Sequence, residues 1–152
     1  MLYRLFQPAD FSQLYAIEEV CFEPPFRFGR RTMRRLVSSA NSATWIAEEN
    51  RQMAGFAIVY WTPEADQTTA YVQTLEVAPA QRNRGIATEL LRRVENSAIA
   101  ADAEAIWLHV AESNTPAIAL YENRGYIRQG REPNYYAEGI GALIYARTLG
   151  QR

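Results

Sequence analysis

Apolar and polar residues alternate along this chain in short blocks, and seven of these blocks are typical of β-strands. The blocks are rich in β-branched and aromatic residues, and polar or proline-containing turns separate them. The predicted strands are residues 2–6, 43–48, 53–61, 70–77, 105–110, 126–129 and 142–147.

Four further segments are typical of helices. The first opens at residues 8–10 and carries Leu14, Ile17 and Cys21, and the second extends from about residue 30 to residue 39. The fourth begins at a Thr-Pro pair, which suits a helix start, and ends at Gly125. The third has a full apolar stripe at helical spacing, formed by Ile86, Leu90, Val94 and Ala98 and widened by Ala87 and Leu91.

The predicted element order is β-α-α-β-β-β-α-β-α-β-β, which indicates an α/β (α+β) fold with a mixed sheet and helices on its faces. The three consecutive strands 43–48, 53–61 and 70–77 are joined by polar turns, as in an antiparallel meander. A chain of 152 residues suits a single domain spanning residues 1–152.

Composition narrows the function classes. An apolar fraction of 48% and a charged fraction of 22% are those of a globular protein, and no apolar run approaches the ~20 residues of a membrane span. The single cysteine excludes an internal disulfide and favours a reducing, cytoplasmic location. A net charge of −1 gives no electrostatic case for nucleic acid. The chain contains no lysine, so all sixteen basic residues are arginine, as a base-composition bias would produce.

The stretch Arg82-Asn83-Arg84-Gly85-Ile86-Ala87 lies between a predicted strand and a predicted helix. Helix-start amides and the helix dipole make such a loop a site for anions, and Gly85 allows a diphosphate to approach the backbone. The Gly-Lys-Ser/Thr ending of a P-loop and the three glycines of a dinucleotide fingerprint are absent. An ordinary basic helix start is the alternative interpretation.

This stretch resembles the Q/R-x-x-G-x-G/A signature of the GCN5-related N-acetyltransferase (GNAT) superfamily, which binds the pyrophosphate of acetyl-CoA. The predicted element order is also that of the superfamily, so the resemblance covers about residues 2–149. It implies a mostly antiparallel sheet of about seven strands, acetyl-CoA as co-substrate and no metal. The cofactor-binding residues it implies are Leu75, Val77, Arg82, Asn83, Arg84, Gly85, Ile86, Ala87, Thr88, Asn114 and Tyr121.

Two later segments resemble N-terminal protein acetyltransferases. The run 108–122 followed by Gly125-Tyr126 is similar to the segment that closes their acetyl-CoA site, which implies that Asn114 bonds the pantetheine arm. The same resemblance places Tyr121 beside the thioester sulfur, as a candidate general acid, although a plain packing role is also consistent with its position. Tyr135 and Tyr136 fall where the eukaryotic enzymes acting on Met-initiated chains carry a tyrosine pair beside the peptide.

The residue type at position 109 distinguishes two groups of N-terminal protein acetyltransferases. Bacterial ribosomal-protein alanine acetyltransferases carry a catalytic glutamate there, whereas a histidine together with Tyr71 is similar to the Met-chain enzymes. A histidine has a pKa near ~6.5. It is therefore better suited to deprotonating an α-amine, whose pKa is ~8, than a lysine side chain, whose pKa is ~10.4. We therefore expect His109, through an ordered water held by Tyr71, to act as the base. A buried structural histidine is the alternative.

Two rival reactive residues are less well placed. In a regular strand Glu76 points away from the face that carries Tyr71, which disfavours it as the base. Cys21 lies on the apolar stripe of the first helix and is interpreted as a core residue rather than a nucleophile. The superfamily resemblance implies that a backbone N–H near Val77 stabilises the charge on the carbonyl oxygen.

The segment 22–28 lies where the superfamily shapes its acceptor pocket. We expect Phe22, Pro25 and Phe26 to form an apolar slot for a first side chain such as Met, and Tyr135 and Tyr136 to hydrogen bond the peptide. A hydrophobic staple between two helices is the alternative. A basic helical face is formed by Arg27, Arg30, Arg31, Arg34 and Arg35. This face is either solvated or selective for acidic partners.

Three functions are consistent with these residues. The first is acetyl-CoA-dependent acetylation of a protein or peptide α-amine by direct attack in a ternary complex. The second keeps the chemistry and uses a small amine, such as a polyamine, an amino acid or an antibiotic. The third is a non-catalytic acyl-CoA-binding module, for which Tyr71, His109 and Tyr121 would not all be required. The sequence leaves the oligomeric state open.

Overall fold

The computed structural model describes residues 1–64 and 66–150 and contains one seven-stranded sheet. Its strands are β1 Leu2–Leu5, β2 Ser42–Glu49, β3 Gln52–Glu64, β4 Gln67–Val77, β5 Ala105–Ala111, β6 Ile127–Ala137 and β7 Ile140–Thr148. Its α-helices are α1 Phe11–Cys21, α2 Arg30–Ser38, α3 Ile86–Ala100 and α4 Thr115–Asn123. One-turn 3-10 helices at Pro8–Asp10 and Pro79–Gln81 precede α1 and the loop before α3.

The strands lie in the order β1-β2-β3-β4-β5-β7-β6. All neighbouring strands are antiparallel except β4 and β5, which are parallel. The predicted order of elements and the meander of β2, β3 and β4 are therefore confirmed. Among the described residues no helix is both long enough and apolar enough to cross a membrane.

Helices cover both faces of the sheet. On one face Leu90 and Val94 of α3 pack among apolar residues of β4 and β5, and α4 adds its own apolar side chains. On the other face Leu14 of α1 and Met33 of α2 pack against Phe56 of β3. The apolar stripe predicted for α3 is buried as expected, because burial of apolar area is the main force that fixes a helix on a sheet.

Strand β4 contains a bulge at Gln73. Ile58 of β3 pairs with Thr74, but the next residue of β3, Val59, pairs with Val72, so Gln73 is the extra residue. One extra residue reverses the alternation of side chains beyond it.

Because of the bulge, the prediction that Glu76 points away from the face that carries Tyr71 is wrong. Tyr71 pairs with Tyr60 and Glu76 pairs with Phe56. Tyr60 and Phe56 are four residues apart in a regular strand, so their side chains lie on the same face of the sheet. Their partners on β4, Tyr71 and Glu76, therefore lie on that face as well. The predicted orientation applies only to a strand without a bulge.

Strands β4 and β5 stay paired for only three residues. Their parallel pairing ends at Tyr71 and Trp107, although β4 continues to Val77 and β5 to Ala111. This separation leaves one side of β4 without a neighbouring strand.

Strand β6 is longer than predicted. It runs over Ile127–Ala137 rather than 126–129, and its pairing with β7 is interrupted twice. Most of its residues are exposed, so it lacks the alternating apolar pattern that marks a half-buried strand. Its extension brings 132–136 alongside β5 and β7, which determines part of the site described below.

Gly55 on β3 allows close approach of β4. A Cβ atom at this position would lie 2.5 Å from the carbonyl oxygen of Glu76 and 3.2 Å from Cα of Val77. It would also lie 3.3 Å from Leu90 Cδ1 on α3. Glycine is therefore required here by space rather than by its backbone angles.

We expect Gly55→Ala to lower the free energy of unfolding by about 1–3 kcal/mol, because the added methyl group overpacks β3 against β4. Gly130→Ala on β6 is the matched control, since a Cβ there meets no atom within 4 Å, and its effect should stay within about 0.5 kcal/mol. Urea unfolding of both variants measures the difference. Equal stability of the two variants would contradict the steric argument.

Candidate active site

A cleft of about 720 Å³ opens where β4 and β5 separate. Its walls come from the end of β4, from the loop before α3 with the first turn of that helix, and from the β5–α4 loop with α4. The predicted cofactor-binding residues that line it are Leu75, Val77, Arg82, Asn83, Gly85, Ile86, Ala87, Thr88, Asn114 and Tyr121. Residues that are distant in sequence are thus brought together around one space.

The loop before α3 presents backbone amides to this cleft. The first backbone hydrogen bond of the helix runs from the amide of Glu89 to the carbonyl of Gly85. The amides of residues 86–88 precede that bond and lack an acceptor one turn earlier. Gly85 has φ 81° and Asn83 has φ 63°, and these left-handed conformations turn the chain sharply into the helix. The geometry suits an anion at the positive end of the helix dipole.

The two loop arginines differ in position. The guanidinium of Arg82 lines the cleft and donates to the carbonyl of Val77 at 3.1 Å. The side chain of Arg84 instead forms an ion pair with Glu49 of β2, with nitrogen–oxygen distances of 2.9 and 3.1 Å. Within the described part of the chain, Arg84 is the predicted loop residue that does not line the cleft.

The register of β3 and β4 directs backbone groups of β4 into the cleft. The amide of Ala78 donates to the carbonyl of Ala54, so Gly55 and Val77 form a pair without mutual hydrogen bonds. The amide of Val77 therefore points away from β3, toward the space that β5 has left. The same alternation applies to Leu75, two residues earlier.

Two predicted residues close the cleft from α4. Asn114 accepts a hydrogen bond from the amide of Ala117 at 3.3 Å and so caps the helix. Tyr121 is buried and lines the cleft. Burial raises the pKa of its phenol above the ordinary value, and nearby Tyr136 and Glu76 add to the shift. Tyr121 therefore stays protonated at neutral pH and can donate a proton.

His109 and Tyr71 are in direct contact. They lie on neighbouring strands, and the Tyr71 hydroxyl and His109 Nδ1 are 2.7 Å apart. Burial raises the pKa of Tyr71 well above its ordinary value, and the neighbouring Tyr135 raises it further. The edge of Trp107 meets the Tyr71 ring at a centroid distance of 4.6 Å. Tyr71 is therefore held as a neutral phenol against the imidazole.

Sequence reasoning missed one partner of His109. Its Nε2 lies 2.7 Å from Oε1 of Glu132 on β6. Tyr135, also on β6, stacks on the imidazole with ring centroids 4.0 Å apart and planes 10° apart. No local pattern identifies Glu132, because its contact with His109 of β5 arises only when the exposed strand β6 pairs with β7, the strand next to β5.

A smaller cavity of about 100 Å³ adjoins His109. Phe22 and Phe26 line both cavities, and Tyr136 meets the Phe26 ring edge-on at 4.9 Å. Pro25, which was predicted to line the slot, is exposed and lines neither cavity within the described chain. The cavity has aromatic walls on the side where an acceptor is expected.

The predicted basic face is partly engaged within the chain. Arg27 donates to two backbone carbonyls at the end of α1. The guanidinium carbons of Arg30 and Arg34 lie 4.8 Å from the Tyr15 centroid and 4.0 Å from the Phe11 centroid. These contacts attach α2 to α1. A preference of this face for acidic partners stays a prediction.

Cys21 packs against the apolar core beside α1, as predicted, and also reaches the cleft. Its thiol is half-buried, lines the cleft, and has Sγ 3.5 Å from the carbonyl of Val77. Burial raises the pKa of this thiol, and the charge of Glu76 raises it further. A thiol that holds its proton is a poor nucleophile, which agrees with the exclusion of Cys21 from covalent chemistry.

Two buried carboxyl groups meet below the cleft. Glu18 on α1 accepts the amide of Phe28 at 2.9 Å, and Glu76 accepts the hydroxyl of Thr74 at 2.6 Å. Each carboxyl group has one further oxygen that is buried and has no hydrogen-bond partner. Burial, together with the neighbouring Glu18, raises the pKa of Glu76. Glu76 on the bulged strand therefore holds its proton more tightly than an exposed glutamate does.

We expect Glu76→Gln to change how stability depends on pH. A carboxyl whose pKa rises on folding stabilises fully below its unfolded value of about 4.3 and progressively less at higher pH. A glutamine donates to Glu18 without titrating, so the variant lacks this loss. Its stability relative to the natural protein should rise between about pH 5 and about pH 8.

Urea unfolding at both pH values measures this difference. Glu138→Gln, in the exposed turn between β6 and β7, is the matched control and should follow the natural protein. Parallel pH dependence of the Glu76→Gln variant and the natural protein would show that Glu76 is ionised when folded.

Comparison with known proteins places these features in a family. The chain is 33% identical over 109 residues to a streptothricin acetyltransferase from Streptomyces lavendulae, which is 68% of this chain and 57% of the relative's length. Arabidopsis thaliana NAA60 in complex with acetyl-CoA has the same fold, with a TM-score of 0.85, 20% identity and coverage of 97% and 98%. So does the ribosomal-protein-S18-alanine N-acetyltransferase from Escherichia coli, with a TM-score of 0.84, 23% identity and coverage of 99% and 95%.

The sequence model of the Acetyltransferase (GNAT) family matches residues 11–126, more than half of the chain. This range includes the loop before α3, the separated ends of β4 and β5, His109 and Tyr121. The family resemblance seen in the sequence is confirmed. The chain belongs to the Acetyltransferase (GNAT) family.

Proposed function

We propose that this protein is an acetyl-CoA-dependent N-acetyltransferase whose acceptor is the α-amine of a protein or peptide. The observation that carries the proposal is the Tyr71–His109 contact beside a small aromatic cavity that adjoins a cleft with a helix-start anion site. Binding of a cofactor alone does not require a base next to a second cavity.

The cleft fits the parts of acetyl-CoA in order. The amides of residues 86–88 suit the diphosphate, and Arg82 adds a positive charge at the same side of the cleft. The backbone of Leu75 and Val77 offers hydrogen bonds to the amide-bearing arm, as a missing strand would. Tyr121, which lines both cavities, lies where the thioester is expected to meet the acceptor.

The proposed reaction is a direct attack. The amine gives a proton to the Tyr71–His109 pair, and its nitrogen forms a bond to the thioester carbonyl carbon. The charge that develops on the oxygen is stabilised by the amide of Val77. The carbon–sulfur bond then breaks, the carbonyl re-forms, and the sulfur takes the proton of Tyr121 and leaves as the thiol of CoA.

The acceptor cavity favours a peptide. Its volume of about 100 Å³ and its walls from Phe22, Phe26 and Tyr136 suit one apolar side chain such as Met. A small amine such as an antibiotic is the second candidate, because the streptothricin acetyltransferase is a relative at 33% identity. The two acceptor classes are separated by experiment.

Purified protein with acetyl-CoA should release thiol with peptides that begin with Met and be slower with peptides that begin with a charged residue. Thiol release is followed with peptides that differ only at residue one and with a set of small amines. Turnover of small amines alone would establish the second candidate. Tight binding of CoA without turnover of any acceptor would contradict both.

We expect His109→Ala to lower kcat by about 100-fold or more, since general base catalysis contributes at least this much. Calorimetry should show an unchanged affinity for CoA, because His109 does not line the large cleft. Near-normal turnover at saturating substrate would reduce His109 to a structural residue.

We expect Tyr121→Phe to lower kcat by about 10- to 100-fold while leaving the affinity for acetyl-CoA nearly unchanged. The thiol of CoA is a moderately good leaving group, so the acid contributes less than the base. Tyr3→Phe on β1, at a residue that is not among those lining the cleft, is the matched control. A loss of affinity with normal kcat would reassign Tyr121 to binding.

A further inference from the structure

We infer that Glu132 is a positioning residue for this reaction: it fixes His109 in one tautomer and completes a Tyr71–His109–Glu132 hydrogen-bond chain. The inference rests on the proposed function, in which His109 receives the proton of the acceptor amine. The inference adds Glu132 of β6 to the residues that act with His109. The contact between β6 and His109 is visible only in the folded protein.

The tautomer follows from counting protons. The side chain of Glu132 is 49% exposed, and an exposed carboxylate at neutral pH accepts hydrogen bonds and donates none. The 2.7 Å contact with His109 Nε2 therefore requires a proton on Nε2. A neutral imidazole carries one such proton, so Nδ1 has the lone pair. Nδ1 then accepts the Tyr71 hydroxyl proton at 2.7 Å.

The surroundings keep the ring in this orientation. The side chain of His109 is only 8% exposed. Tyr135 covers one face of the ring, and Trp107 lies at a centroid distance of 5.3 Å with its plane tilted by 58°. Rotation of the ring by half a turn would put carbon atoms where Nδ1 and Nε2 lie, and so would break both hydrogen bonds. The contacts of Glu132 and Tyr135, two residues of one strand, thus act together.

The chain of hydrogen bonds lets the imidazole take up the amine proton and later return it. The amine proton passes to the Tyr71 oxygen while the Tyr71 hydroxyl proton passes to His109 Nδ1, which leaves a neutral phenol and an imidazolium. Glu132 faces the imidazolium as a carboxylate and stabilises it. After the product leaves, Tyr71 passes a proton to water as it takes the Nδ1 proton back, and a proton from water restores the phenol of Tyr121. Nε2 keeps its proton, hydrogen-bonded to Glu132, throughout, so the starting tautomer returns.

Glu112 provides a matched comparison. Glu112 directly follows β5, the strand that contains His109. The carboxylate of Glu112 accepts two hydrogen bonds from Arg131, at 2.6 and 3.0 Å. Arg131 is the residue before Glu132 in the chain. Glu112 is therefore a carboxylate close to Glu132 with similar exposure that is engaged elsewhere. Its neutralisation tests for a general effect of local charge.

The test uses the fact that His109 is the only histidine in the chain. Nitrogen-15 NMR of histidine-labelled protein then gives one pair of ring signals, whose shifts distinguish the two tautomers. The natural protein should show the proton on Nε2. Glu132→Gln should lose this preference, because an amide both donates and accepts. Glu112→Gln should match the natural protein.

Kinetics provides the second readout. Glu132→Gln should lower kcat about tenfold or more, because the base His109 is then less well positioned to accept the proton. The KM for acetyl-CoA should stay unchanged. Glu112→Gln should keep both values. Retention of the natural tautomer and of normal kcat in Glu132→Gln would overturn the inference, and so would equal losses in both variants.

The two proposals fail in different ways. The tautomer is measured without cofactor or acceptor, so it does not depend on finding the substrate. A tautomer change in a protein that acetylates no acceptor would support the positioning by Glu132 and overturn the proposed function. Thiol release with an unchanged tautomer and an unchanged kcat in Glu132→Gln would support the proposed function and overturn the positioning.

Discussion

The separation of β4 from β5 is the constraint on which the rest of the structure depends. Two parallel strands that part after Tyr71 and Trp107 leave backbone groups without a partner strand, and such groups need hydrogen bonds from elsewhere. The amide of Val77 is one of them, and it faces the cleft. The same opening therefore creates both the space for a long cofactor and the polar backbone that would bind it.

Buried polar contacts attach the helices to the sheet. Glu95 on α3 is buried and accepts hydrogen bonds from Tyr126 at 2.8 Å and from Arg124, and it pairs with Arg147 of β7 at 2.9 Å. These bonds connect α3 with the end of α4 and with β7. On the opposite face Glu18 of α1 accepts the amide of Phe28 at 2.9 Å and connects α1 with the 22–28 segment. A buried polar network is stable only when its members are paired, so each connection favours one arrangement.

Much of the fold could be predicted because it follows from local patterns. The order of strands and helices, the stripe of α3 and the helix start near Gly85 all follow from spacing over a few residues. His109 and Tyr71 were paired through the family resemblance, and the structure brings their side chains into contact. Edge strand β6 was predicted too short, because an exposed strand has no buried face to impose alternation.

The sequence by itself determined the elements, their order and the chemistry of the loop before α3. Only the tertiary structure decided which side chains meet: the bulge at Gln73 reverses the face of Glu76, Arg84 turns to Glu49, and Glu132 reaches His109. The physical reason is that periodicity reports contacts within one element. A bulge, an ion pair and a contact between strands depend on partners outside their own element of secondary structure, which no local pattern records.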